Sequence, residues 1–430
     1  MSNNILTISM ITQEALMVLE NELTFSKGVY REYDDAFART GAKIGNTLNV
    51  RRPARFLGTS GPNLNVEDFY EGSTPVTLGN SASNPNPYGD QFHVDTQFTT
   101  QDLTLSMDRF SDRLIKPAMA AIANRVDYLG LLMAKNSTAN IVGTPGTIAS
   151  SLRTYLDAQA YLDSEAAPRD GFRSVCIEPF TSSAIIDSLK GLFMPQSNIS
   201  EQYRKGLMGR DSAGLDWKLD QNVISHTFGS WSGAGSTVSA NTTGAFTGSI
   251  SSGWQSTSTI TLTTAAQTLS LKQGDTITIA NVFAVNPQNR QSYGKLRSFV
   301  VTSDVAVGTG GASVTVSPAI ITAGQFQNVV VAATSATAAV TPLNAGTTSV
   351  ASAVSPQNIL MHRNAFTLAT ADLEMPEGVH FAGRAASKES GLSVRIVRQY
   401  TINNDAIPTR MDVLFGWAPL YIELACRVAS

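Results

Sequence analysis

The strongest constraint on this chain is where its charges are missing. From Gln221 to Leu271 there is no Asp, Glu, Lys or Arg, and from Val305 to His362 there is none either. Between Gln221 and Val350 the only charged residues are Lys272, Asp275, Arg290, Lys295, Arg297 and Asp304. The same stretch is crowded with Ser, Thr, Gly, Ala and Val, while its flanks carry ordinary charge. Such a break in composition marks a separate module within 221–350, and about 125 residues is a normal domain size. Residues 257–262 alternate apolar and polar with period two, as a half-buried strand does. Segments 269–271 and 276–279 flank Lys272-Gln273-Gly274-Asp275, a tight-turn sequence. Further strand candidates lie at 298–307, 313–316 and 328–331. Short strands punctuated by Gly and Pro predict a small antiparallel barrel or sandwich. The Gly/Ser-rich stretch 230–252 reads as a long mobile loop. There is no repeat of fixed period.

Outside the module the pattern is mixed α and β. A chain of 430 residues suggests two or three domains, and 42% hydrophobic residues suffice for sizeable cores. At residues 11–25, Ile11, Ala15, Val18, Leu19 and Leu23 share one arc of a helix, with Gln13, Glu14, Glu20 and Asn21 opposite. Residues 48–97 are rich in Gly, Pro and Asn and read as an extended excursion of loop and strand. It carries Arg51, Arg52 and Arg55, then Glu67, Asp68 and Glu71. Residues 110–115 lead into Pro117, which suits a first helical turn. Ala118, Ile122, Val126, Leu129 and Met133 then recur at helical spacing, with the helix ending near Asn136. Further helices are expected at 148–162 and 181–193, and a strand at 172–177. Residues 358–428 read as mostly strand.

Charged residues make up 15% and the net charge is −3. That combination excludes a classical disordered chain and a strongly basic nucleic-acid binder. No apolar run approaches the roughly 20 residues of a membrane helix. No basic-then-apolar leader begins the sequence, so the expectation is a soluble protein made in a cytoplasm without an export address. Cys176 and Cys426 are far apart and make no disulfide framework, and Cys176, inside an apolar strand, reads as a core residue. His93, His226, His362 and His380 show no metal-binding spacing. There is no Gly-x-Ser-x-Gly elbow and no phosphate-binding glycine loop. Glu67 and Asp68 sit in a Pro/Gly-rich excursion, where a solvated or inter-subunit role outweighs a catalytic dyad. Aromatic and basic residues do not interleave, so no single-strand platform is present. No catalytic site, metal or cofactor is expected. Long extended segments bury little surface in their own subunit, which favours an assembling structural protein.

Several segments, taken in order, then carry a family resemblance. Ala213-Gly214-Leu215-Asp216-Trp217 leads to Asp220-Gln221-Asn222-Val223 and His226-Thr227. Residues 358–376 read NILMHRNAFTLATADLEMP, 393–405 read SVRIVRQYTINND, and 409–428 read TRMDVLFGWAPLYIELACRV. Met107-Asp108-Arg109-Phe110 and Lys116-Pro117-Ala118 open the long helix. Together they resemble the major capsid (coat) proteins of tailed bacteriophages, specifically the P22-type coat family, over nearly the whole chain. The resemblance implies an α+β, HK97-like capsid fold. Its parts would be an N-terminal arm at 1–35 and an extended loop region at 36–100. The spine helix, peripheral domain and part of the axial domain would follow at 101–223, then an inserted antiparallel β-barrel at 224–350 and the remainder of the axial and peripheral domains at 351–430.

The same resemblance implies self-assembly into pentamers and hexamers of an icosahedral head around double-stranded DNA. Implied partners are further copies of the chain, a scaffolding protein, a portal protein, a decoration protein and weakly, non-specifically held DNA, in a virion assembled in a bacterial cytoplasm. Arg51, Arg52, Arg55, Glu67, Asp68 and Glu71 are the candidate inter-subunit contacts. Glu14 and Glu20, on the polar face of the first helix, are the candidate docking site for a basic scaffolding partner. Two other readings are a nanocompartment shell with the same fold and a β-rich binding protein.

Overall fold

In the computed structural model the chain divides into two units. One comprises residues 1–49, 75–133 and 366–418, the other 50–74, 134–365 and 419–430. The residues described are 8–31, 47–80, 82, 85–99, 115–189, 212–230, 240–241, 253–263, 269–308, 310–332, 337–342, 354–386 and 392–430. The expected helical lead-in at 110–114, most of the expected 230–252 loop and the end of the expected 181–193 helix lie outside them. The helices among the described residues are α1 (Ile8–Glu22), α2 (Lys116–Ser137), α3 (Leu152–Ser164) and α4 (Pro179–Leu189).

In the first unit α1 stops short of the Phe25 that its apolar pattern reaches, and the cause is Asp127 of α2. Its carboxylate accepts from the backbone N–H of Thr24 (2.7 Å), Phe25 (3.2 Å) and Ser26 (3.1 Å), and from the Ser26 hydroxyl (2.7 Å). Those amides are diverted from continuing the helix. Burial pushes the Asp127 carboxyl up, and the four hydrogen bonds pull it back. Phe25 turns inward against Trp417, ring centroids 5.5 Å apart. Trp417 in turn donates its indole N–H to the Val126 carbonyl at 3.0 Å. A glycine mid-helix costs about 1 kcal/mol relative to alanine, and Gly130 shows what offsets it. A Cβ there would lie 2.6 Å from the Trp417 ring. The sheet of this unit is built on the long strand Ala406–Pro419. Gly89–Thr99 pairs antiparallel along it from Gly416↔Gly89 to Ala406↔Thr99, and Ser393–Arg398 also pairs with it. Asp412, fully buried there, is satisfied by Arg395 (3.0 Å) and Arg410 (3.1 Å).

In the second unit a sheet ordered Ile141–Gly143, Ala425–Ala429, Val354–His362, Arg173–Ile177, Asp216–Leu219 is covered by α3 and α4. Tyr155, Leu162 and Ile185 pack on Val175, Leu360 and Val428. Ser151 caps α3, its side chain accepting from the Arg153 N–H at 3.3 Å. This moves the helix start past the expected position at 148. Neither cysteine is in a disulfide, and both are buried in this layer.

The charge-poor region forms a second, antiparallel sheet. Its order is Val329–Val331, Thr276–Val285, Ser292–Val301, Ala312–Ser317, Ser258–Leu262, with Val340–Pro342 also on Thr276–Val285. Its core is aliphatic with one ring, including Ile260, Leu262, Ile277, Ile279, Phe299, Val314 and Val316. The expected turn is present, with Gly274 at φ +96° and the Asp275 N–H bonded to the Lys272 carbonyl at 2.9 Å. Its flanking strands do not pair with each other, because Leu269–Leu271 pairs with Val305–Val307 instead. The chain runs into this region on Ser225–Thr227 and returns beside it on Val354–His362, paired His226↔Ser355.

That crossing is held by buried polar groups. The His226 Nε2–H donates to Asp275 Oδ1 at 2.8 Å, and Lys135 Nζ donates to His226 Nδ1 at 3.2 Å. Asp275 Oδ2 also accepts from the N–H of Gly229 (3.1 Å) and Lys272 (2.7 Å). Arg427 donates to the Gly274 carbonyl at 2.8 Å and to the Thr276 hydroxyl. Burial lowers the His226 pKa, against the Asp275 hydrogen bond, with Lys135 and Arg427 adding to the lowering. Burial also pushes Lys135 down to about 8. Folded His226 thus holds a proton less readily than the unfolded chain. Its contribution to stability is intact above the ordinary imidazole value of 6.5 and fades as pH falls below it. A protonated ring would also turn an Nδ1–H toward the Lys135 ammonium. The melting temperature should therefore drop between about pH 7 and pH 5 more steeply in the native chain than in His226→Gln. Parallel pH profiles in scanning calorimetry would refute this.

Candidate assembly surface

Residues 52–72, in the second unit, have no regular secondary structure yet are pinned at defined points. The Arg52 N–H bonds to the Gly72 carbonyl at 2.7 Å, closing the root of the loop. Nearer its tip the Glu67 carboxylate accepts from the N–H of Leu57 (2.7 Å) and Gly58 (2.6 Å), tying one limb to the other. Gly58 sits at φ +68°, a conformation that suits glycine. From the charge-poor sheet, Arg290 donates to the Phe56 carbonyl at 3.2 Å and Gln325 Nε2 to the Asp68 carbonyl at 2.5 Å. Tyr70 and Trp254 pack on Ala319, Ile321 and Phe326. Gly72 has no room for a side chain, since a Cβ would meet Trp254 at 2.6 Å. With its root held in this way, the loop presents Leu64 (92% exposed), Val66 (81%), Phe56 (61%), Phe69 (59%) and Leu57 (48%) to solvent. An apolar group of this kind makes the loop a candidate contact surface. Sequence reasoning passed over these five residues because they follow no period, and the only signal was apolar residues in a Gly/Pro/Asn-rich segment.

The charged candidates take different places. Arg51 and Glu71 face each other at 3.6 Å on the surface. Arg52 is engaged within its own chain. Its side chain is only 11% exposed, pairs with Glu423 at 3.7 Å and donates to the Leu420 carbonyl. It lies over the rings of Trp254 (4.5 Å) and Tyr421 (5.0 Å). Arg55 is exposed, over the Phe326 ring at 5.7 Å. Glu67 holds the loop as described, and the exposed Asp68 side chain has no partner among the described residues. The six residues are thus on one segment, but only some offer free charge. On α1, Glu14 is half-buried, and the Glu20 side chain lies outside the described residues.

Among the described residues no three His, Cys, Asp or Glu side chains gather to hold a metal ion, and no helix is long and apolar enough to cross a membrane. His362 faces Asp170 at 3.1 Å and His93 faces Asp95 at 3.0 Å, each an ordinary polar contact.

The family model described as P22 coat protein, gene protein 5, matches residues 1–425. This chain belongs to the P22 coat protein family. It is a structural major capsid protein of the bacteriophage type. No curated protein matches the sequence. Among solved structures, one from Mycobacterium phage Che8 aligns with TM-score 0.45 at 10% identity, covering 94% of this chain and 90% of that one. The capsid structure of the cyanophage P-SCSP1u aligns at 0.43 and 8%, covering 90% and 83%. The CUS-3 coat protein I-domain is 26% identical at TM-score 0.19, covering 26% of this chain and 99% of that one. With scores this low, membership rests on the family match.

The geometry separates two neighbouring arginines of the coat protein. Arg52→Ala should cost the monomer about 2–3 kcal/mol, from lost cation–π and charge-assisted contacts. Arg51→Ala should stay within about 0.5 kcal/mol, as exposed pairs do. Urea unfolding of the two variants checks this, and equal midpoints would contradict it.

Proposed function

We propose that many copies of this coat protein assemble into pentamers and hexamers that close as an icosahedral head around double-stranded DNA. The observation that carries this reading is the loop at 52–72, held at its root and bearing exposed apolar residues at its tip. A surface of that kind is stable only when covered, and the cover is the neighbouring copy. The apolar residues supply the attraction. Arg51, Asp68 and Glu71 supply register, because exposed pairs contribute only about 0–1 kcal/mol each.

In the same reading the fold is HK97-like. Residues 1–35 are the N-terminal arm, 36–100 the extended loop region, and 101–223 the spine helix, peripheral domain and part of the axial domain. An inserted β-barrel occupies 224–350, and 351–430 completes the axial and peripheral domains. The paired strands at His226↔Ser355 support an insertion, since the chain leaves and rejoins its sheet at one place. Glu14 and Glu20 on α1 dock a basic scaffolding protein, and portal and decoration proteins complete the particle. DNA contact is weak and non-specific, because a net charge of −3 provides no concentrated cation lining. The particle assembles in the bacterial cytoplasm, and the role is mechanical, without catalysis.

The test is assembly of Leu64→Ser/Val66→Ser, two positions whose side chains are exposed in the monomer. Negative-stain electron microscopy should show closed shells for the native chain with its scaffold and none for the variant. Circular dichroism and unfolding of the variant monomer should be unchanged. Normal shells from the variant would refute the loop's role.

A further inference from the structure

A cleft of about 460 Å³ opens in the second unit between the root of the loop and the charge-poor sheet. Four arginines line it, Arg52, Arg55, Arg290 and Arg297. Two are neutralised, Arg52 by Glu423 at 3.7 Å and Arg297 by Glu165. The other two make no ion pair among the described residues, although Arg55 lies in the field of the Glu165 carboxylate that Arg297 already holds. They are nevertheless brought to the same spot. Arg290 donates to the carbonyls of Phe56 (3.2 Å) and Gln325 (3.4 Å), while Arg55, next to Phe56, lies over the ring of Phe326, next to Gln325. The Arg290 Nε–H is buried with no acceptor. Its backbone is left-handed, φ +56°, in the turn between Thr276–Val285 and Ser292–Val301, a strained conformation for a long side chain. Strain, an unmet donor and four arginines set against only two carboxylates, Glu165 and Glu423, each cost free energy. A bound anion would offset the electrostatic part.

We propose that this cleft binds a small organic phosphate, with Arg55 and Arg290 taking the phosphate and the aromatic walls taking the rest of the ligand. Guanidinium forks match phosphate oxygens two at a time. The cleft is far larger than a bare phosphate needs and falls in the range of about 300–1,000 Å³ typical of small-molecule sites. Phe56, Trp254, Phe326 and Tyr421 give it apolar surface for a ring. Because Arg55 belongs to the loop and Arg290 to the sheet, a bridging phosphate ties one to the other. Occupancy then stiffens the root of the loop, with no requirement that the loop mediate assembly.

The test uses the purified full chain, with AMP and phenyl phosphate as probes and sodium chloride to hold ionic strength constant. Both probes should raise the melting temperature saturably and slow proteolysis within 52–72. Arg55→Gln/Arg290→Gln should weaken binding about tenfold or more, read as the probe-induced shift from the variant's own unliganded melting temperature. Arg153→Gln, which removes an exposed charge on α3, should bind as the native chain does. If the double variant itself unfolds, Arg290→Lys serves in its place, retaining charge but losing the fork. No shift with either probe, or equal shifts in native and variant chains, would overturn the site. Equal response to inorganic phosphate would overturn the assignment to an organic ligand.

Discussion

Asp275 is the residue on which the second unit's arrangement depends. Its two oxygens receive the His226 ring, the Gly229 and Lys272 amides, and the field of Lys135 and Arg427. Those groups come from the end of α2, from the strand leading into the charge-poor sheet, from the turn between its strands and from the C-terminal strand. A buried carboxylate with that many partners is costly to leave unmet, so the four segments are fixed relative to one another together or not at all. The aliphatic core of the sheet supplies cohesion but little direction, because apolar contacts are not directional.

Positioning the loop is a consequence of that fixed sheet. Arg290 and Gln325 reach from it to carbonyls on opposite limbs of the loop, at Phe56 and Asp68. Arg52 and Tyr70 pack the root, and Glu67 staples the tip. An irregular segment of this length has few backbone bonds of its own, so each borrowed one counts. The loop keeps its apolar tip outward because its polar groups are satisfied at the root. Under the proposed assembly, exposure of that tip is tolerable because a neighbouring copy would remove it from water.

Much of the architecture was legible in the residues. The break in charge at 221 and the period-two segment at 257–262 lead to an antiparallel sheet, and the spacing from Ala118 to Met133 leads to α2. These signals are local, and local periodicity survives tertiary context when one face is buried. What was not legible involves pairing at distance. The turn at 272–275 was visible, but its flanking strands take other partners. The end of α1 was misplaced because Asp127, more than a hundred residues away, captures its amides. Among the candidate contacts, Arg51 and Arg52 are indistinguishable as neighbours in a sequence. One faces solvent and the other lies between Trp254 and Tyr421, residues from distant parts of the chain.

The sequence by itself determined which segments are helix, strand or extended, where the charge-poor region begins and ends, and the family to which the chain belongs. Those follow from side-chain chemistry read over short windows and from residue blocks in order. Only the tertiary structure decided which arginines are engaged within the chain, which apolar residues are left exposed and how the cleft comes to gather four arginines against two carboxylates. Each depends on groups brought together from far along the chain, where burial and local charge balance arise from packing rather than from composition.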